Sequence, residues 1–131
     1  MFKSIKTSEL NKEIVTDLSR RLGLGAENVI ARMAYSYSLA SDIKLDIKDI
    51  QDAKGKEYSA NVLFGNSLPF YIAMVCTHYC IHKTDKDVAK YVKMHIDHGL
   101  ELLNKEFNEN PNVTGFEFLV NKVDIGLREL N

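Results

Sequence analysis

Residues 76–82 read CTHYCIH, which puts both cysteines of the chain and two of its four histidines within one short stretch. Thiolate and imidazole are the ligands a tetrahedral zinc ion prefers, so the first question is whether one ion could gather them. The surrounding run, NSLPFYIAMVCTHYCIHK, is apolar, with Asn66 or Ser67 as a candidate N-cap and Pro69 in the first turn of an expected helix. Each helical residue advances about 100° around the axis, so Cys76 and Cys80 share a face with Ile72 while His78 and His82 lie about 200° away. One ion cannot collect all four. A half-site would need completion by His95 and His98 of KMHIDHGL, giving a metalloenzyme on Cys76, Cys80, His95 and His98. C-x3-C is not a usual zinc spacing, and buried cysteine behaves as a small hydrophobe. The stretch therefore reads as core helix, with no metal and no cofactor.

The remaining chemistry-bearing residues point the same way. A nucleophilic site needs serine or cysteine with a base held beside it, and the opposed faces separate Cys76 and Cys80 from their neighbouring histidines. No glycine-rich phosphate loop is present. Asp46, Asp49, Asp52 and Glu57 alternate with lysines in the manner of a solvated face rather than a carboxylate metal centre. No catalytic residue is assigned, and the expectation is a protein that is not an enzyme.

The elements that would position these groups follow from periodicity. FKSIKT is a short strand with Lys3 and Lys6 turned to solvent. Thr7-Ser8-Glu9 caps a helix with Leu10, Ile14 and Leu18 every four residues, closed by Arg20-Arg21 and Gly23. A second helix after Gly25 carries Val29, Ile30, Met33, Ala34 and Tyr37. DIKLDIKDI alternates with period two and predicts a half-buried extended segment; Tyr58, Ala60, Val62 and Phe64 predict a strand between Gly55 and Gly65. The CTHYCIH helix is apolar nearly all round, as expected of an element central to a domain or shared with a partner subunit. Thr84-Asp85-Lys86-Asp87 resembles a capping box for a long helix with the stripe Val88, Tyr91, Val92, Ile96, Leu100 and Leu103. A last amphipathic helix runs through Phe116, Leu119, Val120, Val123 and Leu127.

The expected fold is mainly α with a few short strands, a ribbon-helix-helix-like unit followed by a helical body. One domain is expected over 1–131: strand-helix-helix in 1–40, extended segments in 41–65, two long helices in 66–107 and a C-terminal helix in 113–130. With 131 residues, 45% hydrophobic and 27% charged, the chain has the composition of a folded domain. The longest apolar run, near 68–76, falls short of the ~20 residues of a membrane span. The MFKSIKTSEL start lacks a signal peptide's apolar stretch, and two cysteines on one helix build no disulfide framework. The expected location is the cytoplasm, with no membrane partner.

Net charge is −1, yet residues 1–40 carry six bases against four acids, a local +2. In a ribbon-helix-helix arrangement, strands from two subunits pair and enter a DNA groove. Lys3 and Lys6 could then reach phosphates, with Arg20 and Arg21 flanking the backbone.

The order of several short motifs resembles the DndE family, the small component of bacterial DNA phosphorothioation. They are Ser8-Glu9, Arg20-Arg21-Leu22-Gly23-Leu24, Arg32-Met33-Ala34-Tyr35 with Ser38-Leu39, Lys54-Gly55-Lys56-Glu57-Tyr58 running to Phe64-Gly65, and His95 with Gly99-Leu100. The resemblance covers about residues 2–103. It implies a non-catalytic subunit that binds DNA, prefers nicked duplex and assembles as a homo-tetramer. Partner proteins of the sulfur-modification system (a cysteine desulfurase, an iron–sulfur protein and an ATPase) would carry the chemistry. By the family pattern basic surface residues contact DNA, so the expected set is Lys3, Lys6, Arg20, Arg21, Lys54 and Lys56. The alternatives are a ribbon-helix-helix regulator reading one operator sequence, or a protein-interaction module without DNA contact.

Overall fold

The computed structural model describes residues 2–130. It is mainly helical, with one two-stranded antiparallel sheet near the N-terminus. Strand β1 (Ser4–Lys6) leads into helix α1 (Glu9–Leu22), and α2 (Glu27–Ala40) follows. Strand β2 (Glu57–Ser59) precedes α3 (Ala60–Phe64) and α4 (Leu68–Tyr79), and α5 (Val88–Asn108) and α6 (Gly115–Glu129) complete the chain.

Helix α1 starts and stops where its end residues dictate. The Ser8 side chain accepts from the Asn11 backbone N–H, and Gly23 closes the helix at φ 68, a left-handed position that glycine adopts without strain. Its buried face runs through Asn11, Val15, Leu18 and Leu22, which leaves Leu10 59% exposed instead of on the inner stripe.

Long helix α5 is the spine. Val88, Val92, Ile96, Leu100 and Leu103 are buried along it, as the spacing predicts. It packs on α2 so closely that a Cβ at Gly99 would overlap the Ala34 carbonyl oxygen and stand 2.8 Å from Ala34 Cα. The core joins these residues to Val15, Leu18, Ile30, Ala34, Tyr35, Leu63 and Phe64.

Four local expectations are corrected. The alternating 42–50 segment is not a strand: it has no ladder partner among the described residues, and Ile47–Asp49 form a 3-10 turn held by the Asp46 side chain. The strand expected to Phe64 stops at Ser59, whose hydroxyl caps α3 by accepting from Val62 N–H. Helical winding then buries adjacent Leu63 and Phe64 and turns Val62 outward. Thr84–Asp87 forms no side-chain cap on α5, because the Thr84 hydroxyl bonds His82 Nδ1 at 2.8 Å instead. Most of the α6 stripe (Phe116, Val120, Val123 and Leu127) faces outward while Leu119 packs on the core, and Phe118, outside the stripe, is the buried residue of that helix.

Of the two places expected for helix α4, the centre of the domain is not the one it takes. It buries Ile72 and Val75 but leaves Phe70 77% exposed, so it lies at the surface. Phe64 stacks on Tyr71 at 4.5 Å between centroids, and the Tyr35 hydroxyl donates to the Tyr71 carbonyl, tying this surface layer to α2. Ala60–Tyr79 is long and apolar enough by composition to cross a membrane, and 28% of the 18-residue window that meets this measure is buried. That length is assembled from two helices joined by a 3-10 turn at Gly65–Ser67.

Candidate nucleic-acid interface

The six expected DNA-contacting residues fall into three settings. The β1–β2 register sets Lys6 opposite Glu57 and Ile5 opposite Tyr58. Ile5 and Tyr58 point into the core, so Lys6 emerges on the outer face with Ser4, Glu57 and Ser59. Thr7 N–H donates to the Lys56 carbonyl and Gly55 N–H to the Thr7 carbonyl, both at 2.9 Å. This ladder draws Lys54 and Lys56 beside Lys6, about fifty positions away in sequence. Lys3 leaves the other end of β1, its carbonyl accepting from Ala60 N–H. Strand β1 pairs with β2 of its own chain, so one edge of the ribbon is filled within the subunit.

Asp52 fixes the loop that carries Lys54. Its Oδ1 accepts from Glu9 N–H at 2.9 Å and Lys54 N–H at 3.0 Å, at the N-terminus of α1. Those backbone N–H groups, Glu9's first, hold the Asp52 carboxyl below the usual carboxylate range. Among the described residues, no carboxylate lies within ion-pair distance of Lys3, Lys6 or Lys54.

Lys56 and Arg20 line a second setting, an open groove of about 960 Å³ along α1, together with Lys12, which sequence reasoning did not single out. Glu9, Glu13, Asp17 and Asp52 share the groove. Lys56 pairs with Glu27 at 3.4 Å, and Arg20 pairs with Asp17 while its side chain stays 76% exposed. Four acids against three bases make this groove a weak attractor of phosphate by itself.

Arg21 occupies a third setting. Its guanidinium lies 3.9 Å from the Phe107 ring centroid and donates to Asn108 Oδ1 at 2.8 Å. It clamps the end of α1 to the end of α5, a structural post that any phosphate contact would have to share.

Two buried polar networks lie behind these surfaces. In the first, Asp97 Oδ1 accepts from Ser8 N–H at 3.0 Å and Asn11 Nδ2 at 2.8 Å, while Oδ2 takes Lys93 Nζ at 2.7 Å. Lys93 also donates to the Asp52 carbonyl at 2.8 Å. This network fixes the start of α1, and hence the lysine-bearing loop, on α5. Its sequence signal was the opposite-charge pair at i,i+4 beside the α5 stripe.

In the second, Ser38 Oγ stands 2.7 Å from both His95 Nδ1 and His98 Nδ1, and the Tyr79 hydroxyl 2.7 Å from His95 Nε2. Tyr79 already accepts from Leu45 N–H, so its own proton goes to His95 Nε2. We assign His95 as the Nδ1–H tautomer, donating to Ser38, which donates to His98.

Helix α4 ends at Tyr79, and Cys80 is its left-handed cap at φ 54, so Cys80 and His82 lie off the helix. Among the described residues, no group of three or more His, Cys, Asp or Glu could hold a metal ion.

His95 is fully buried, and its pKa falls to about 4 through desolvation first and the nearby His78 and His98 second. Between pH 6.5 and pH 4 the unfolded chain takes up a proton that folded His95 refuses. Stability should therefore fall as pH drops through that window, by at most about 3 kcal/mol from this residue. Thermal melts at pH 7 and 4.5 should show a steeper loss for the native chain than for His95→Gln; equal losses would remove His95 from the account.

Residues 4–111 match the family model described as DndE, DNA sulphur modification protein DndE. Among solved structures, the chain resembles the crystal structure of DndE from Escherichia coli B7A involved in DNA phosphorothioation modification, with a TM-score of 0.63 at 17% identity. The alignment covers 79% of this chain and 98% of that one, and at such identity it speaks for the fold. No curated protein matches the chain. The fold agrees with the solved structure, and the family match spans most of the sequence: the chain belongs to the DndE family of DNA sulphur modification proteins.

Proposed function

We propose that this chain is a non-catalytic, DNA-binding subunit of the phosphorothioation machinery, favouring nicked duplex, in the cytoplasm as a homo-oligomer, a tetramer by family resemblance. Other proteins of the system supply sulfur and nucleotide chemistry. One observation carries the reading: the β1–β2 ladder brings the backbone of Lys54 and Lys56 beside Lys6, and among the described residues no carboxylate lies within ion-pair distance of Lys6 or Lys54. Ammonium groups so placed can replace counterions along a phosphate backbone. The acids of the neighbouring groove then keep affinity low for a single copy, and oligomerisation multiplies the contact.

The test is charge reversal. K6E/K54E should weaken duplex binding and lower the salt dependence by about one counterion for each phosphate the variant no longer reaches, with the melting temperature unchanged. R20E should have a smaller effect, since Asp17 already holds that side chain. Unchanged affinity in K6E/K54E would sink this site.

A second reading, a module that binds only proteins, draws on the exposed face of α4 at Phe70 and Met74. That face also suits a subunit contact, and the two readings part on whether any duplex binds at low salt.

A further inference from the structure

Helix α6 begins after residue 111, where the family match ends. It is well formed locally. Thr114 and Glu117 make a reciprocal capping box, Phe118 packs on Phe107 at 5.0 Å between centroids, and Lys122 pairs with Glu106 at 2.7 Å. The side so anchored is Gly115, Phe118, Leu119 and Lys122.

About 110° around the axis lies a second apolar row, counted at 100° per residue. Phe116, Val120, Val123, Leu127 and Leu130 are spaced 4, 3, 4 and 3, the a/d repeat of a coiled-coil seam. Phe116 is 77% exposed, Val123 62% and Leu130 81%. A row this narrow and this regular matches another helix of the same repeat rather than a flat or globular partner.

We propose that α6 pairs in parallel with α6 of a second copy of this chain, joining two subunits through Phe116, Val120 and Val123. Charge sets the direction. Glu117 and Asp124 flank one side of the seam, and Leu119 and Gly126 flank the other. An antiparallel pair would set those acids against the same acids of the second copy, whereas a parallel pair sets them against the uncharged flank. Fifteen residues are few for a free helix, but α6 is already capped and docked on α5, so pairing does not have to nucleate it. The contact is separate from the α4 face and from the lysines proposed to meet DNA.

The experiment uses the full chain with Cys76 and Cys80 changed to serine, so that one introduced thiol reports. V123C, in the seam, should form a disulfide-linked dimer under mild oxidation, while N121C, on the outer face of the same helix, should cross-link at least tenfold less. In the native sequence, V120D/V123D should reduce the mass by light scattering while circular dichroism keeps its helical signal. Equal cross-linking of V123C and N121C, no cross-linking of either, or an unchanged mass for V120D/V123D would each overturn the pairing. Because neither variant touches Lys6 or Lys54, loss of the dimer leaves the DNA assignment to be judged separately.

Discussion

Replacing Asp97 with alanine should destabilise this fold by about 3–5 kcal/mol, the usual consequence of stranding one member of a buried ion pair. Asp97 is 1% exposed and its two oxygens meet three donors: the Ser8 backbone, the Asn11 amide and the Lys93 ammonium. Removing it strands Lys93, itself 7% exposed, with one carbonyl contact at Asp52. It also leaves the first turn of α1 without its buried acceptor. Urea denaturation would measure the loss. D97N, which can still accept from Ser8 but carries no charge, should lose less. K93M/D97N should lose less than the sum of its single variants, because no unpaired charge remains. Additive losses would mean that the two residues do not act as a pair. The prediction bears on function as well, since this network fixes the start of α1 and, through Asp52, the loop bearing Lys54.

The second large effect is expected at Gly99. Alanine is the better helix former by about 0.5–1 kcal/mol, so Gly99→Ala would stabilise an isolated helix. Here the added Cβ would overlap the Ala34 carbonyl, backbone on the opposing helix α2. No rotamer change relieves a backbone clash; α2 and α5 must part, and they carry the core between them. Overpacking of side chains alone costs about 1–3 kcal/mol, and this contact should exceed that range. We expect G99A to be unfolded or strongly destabilised by circular dichroism. Gly126→Ala, where an added Cβ meets nothing within 4 Å, should fold normally. A G99A protein with native stability would contradict the close α2–α5 approach.

Much of this architecture was legible in the sequence because local physics decided it. Ser8 and Gly23 set the limits of α1, and the stripe from Val88 to Leu103 named the inner face of α5. Where local pattern and tertiary partner disagreed, the partner won. The alternation in 42–50 satisfies a strand's period, but no neighbouring strand offers a ladder, so the segment stays extended coil with one 3-10 turn. Residues 60–64 alternate equally well, yet the Ser59 hydroxyl caps a helix there and buries consecutive Leu63 and Phe64. The stripe on α6 is amphipathic as its spacing says, but periodicity cannot say which side a helix turns to its own core. Phe118, outside that stripe, is the anchor.

The candidate site was half legible. The bases could be named from sequence, since exposed lysines advertise themselves. The ladder that gathers Lys6 with Lys54 and Lys56 could not, because it depends on a pairing between distant three-residue strands. Arg21 shows the limit from the other side. Its position at the end of a helix invited a phosphate contact, and only the structure shows its guanidinium lying over Phe107. The argument that set the cysteines and histidines of 76–82 on opposed faces assumed an unbroken helix, and a left-handed residue at Cys80 ends that helix.

The most direct test of the proposed role is fluorescence anisotropy of the full chain against matched intact, nicked and single-stranded oligonucleotides across a salt series. The account predicts binding that weakens with salt, is strongest for the nicked duplex and falls in K6E/K54E. No binding to any of the three at low salt would contradict it, and would leave the chain as a component that works through protein contacts alone.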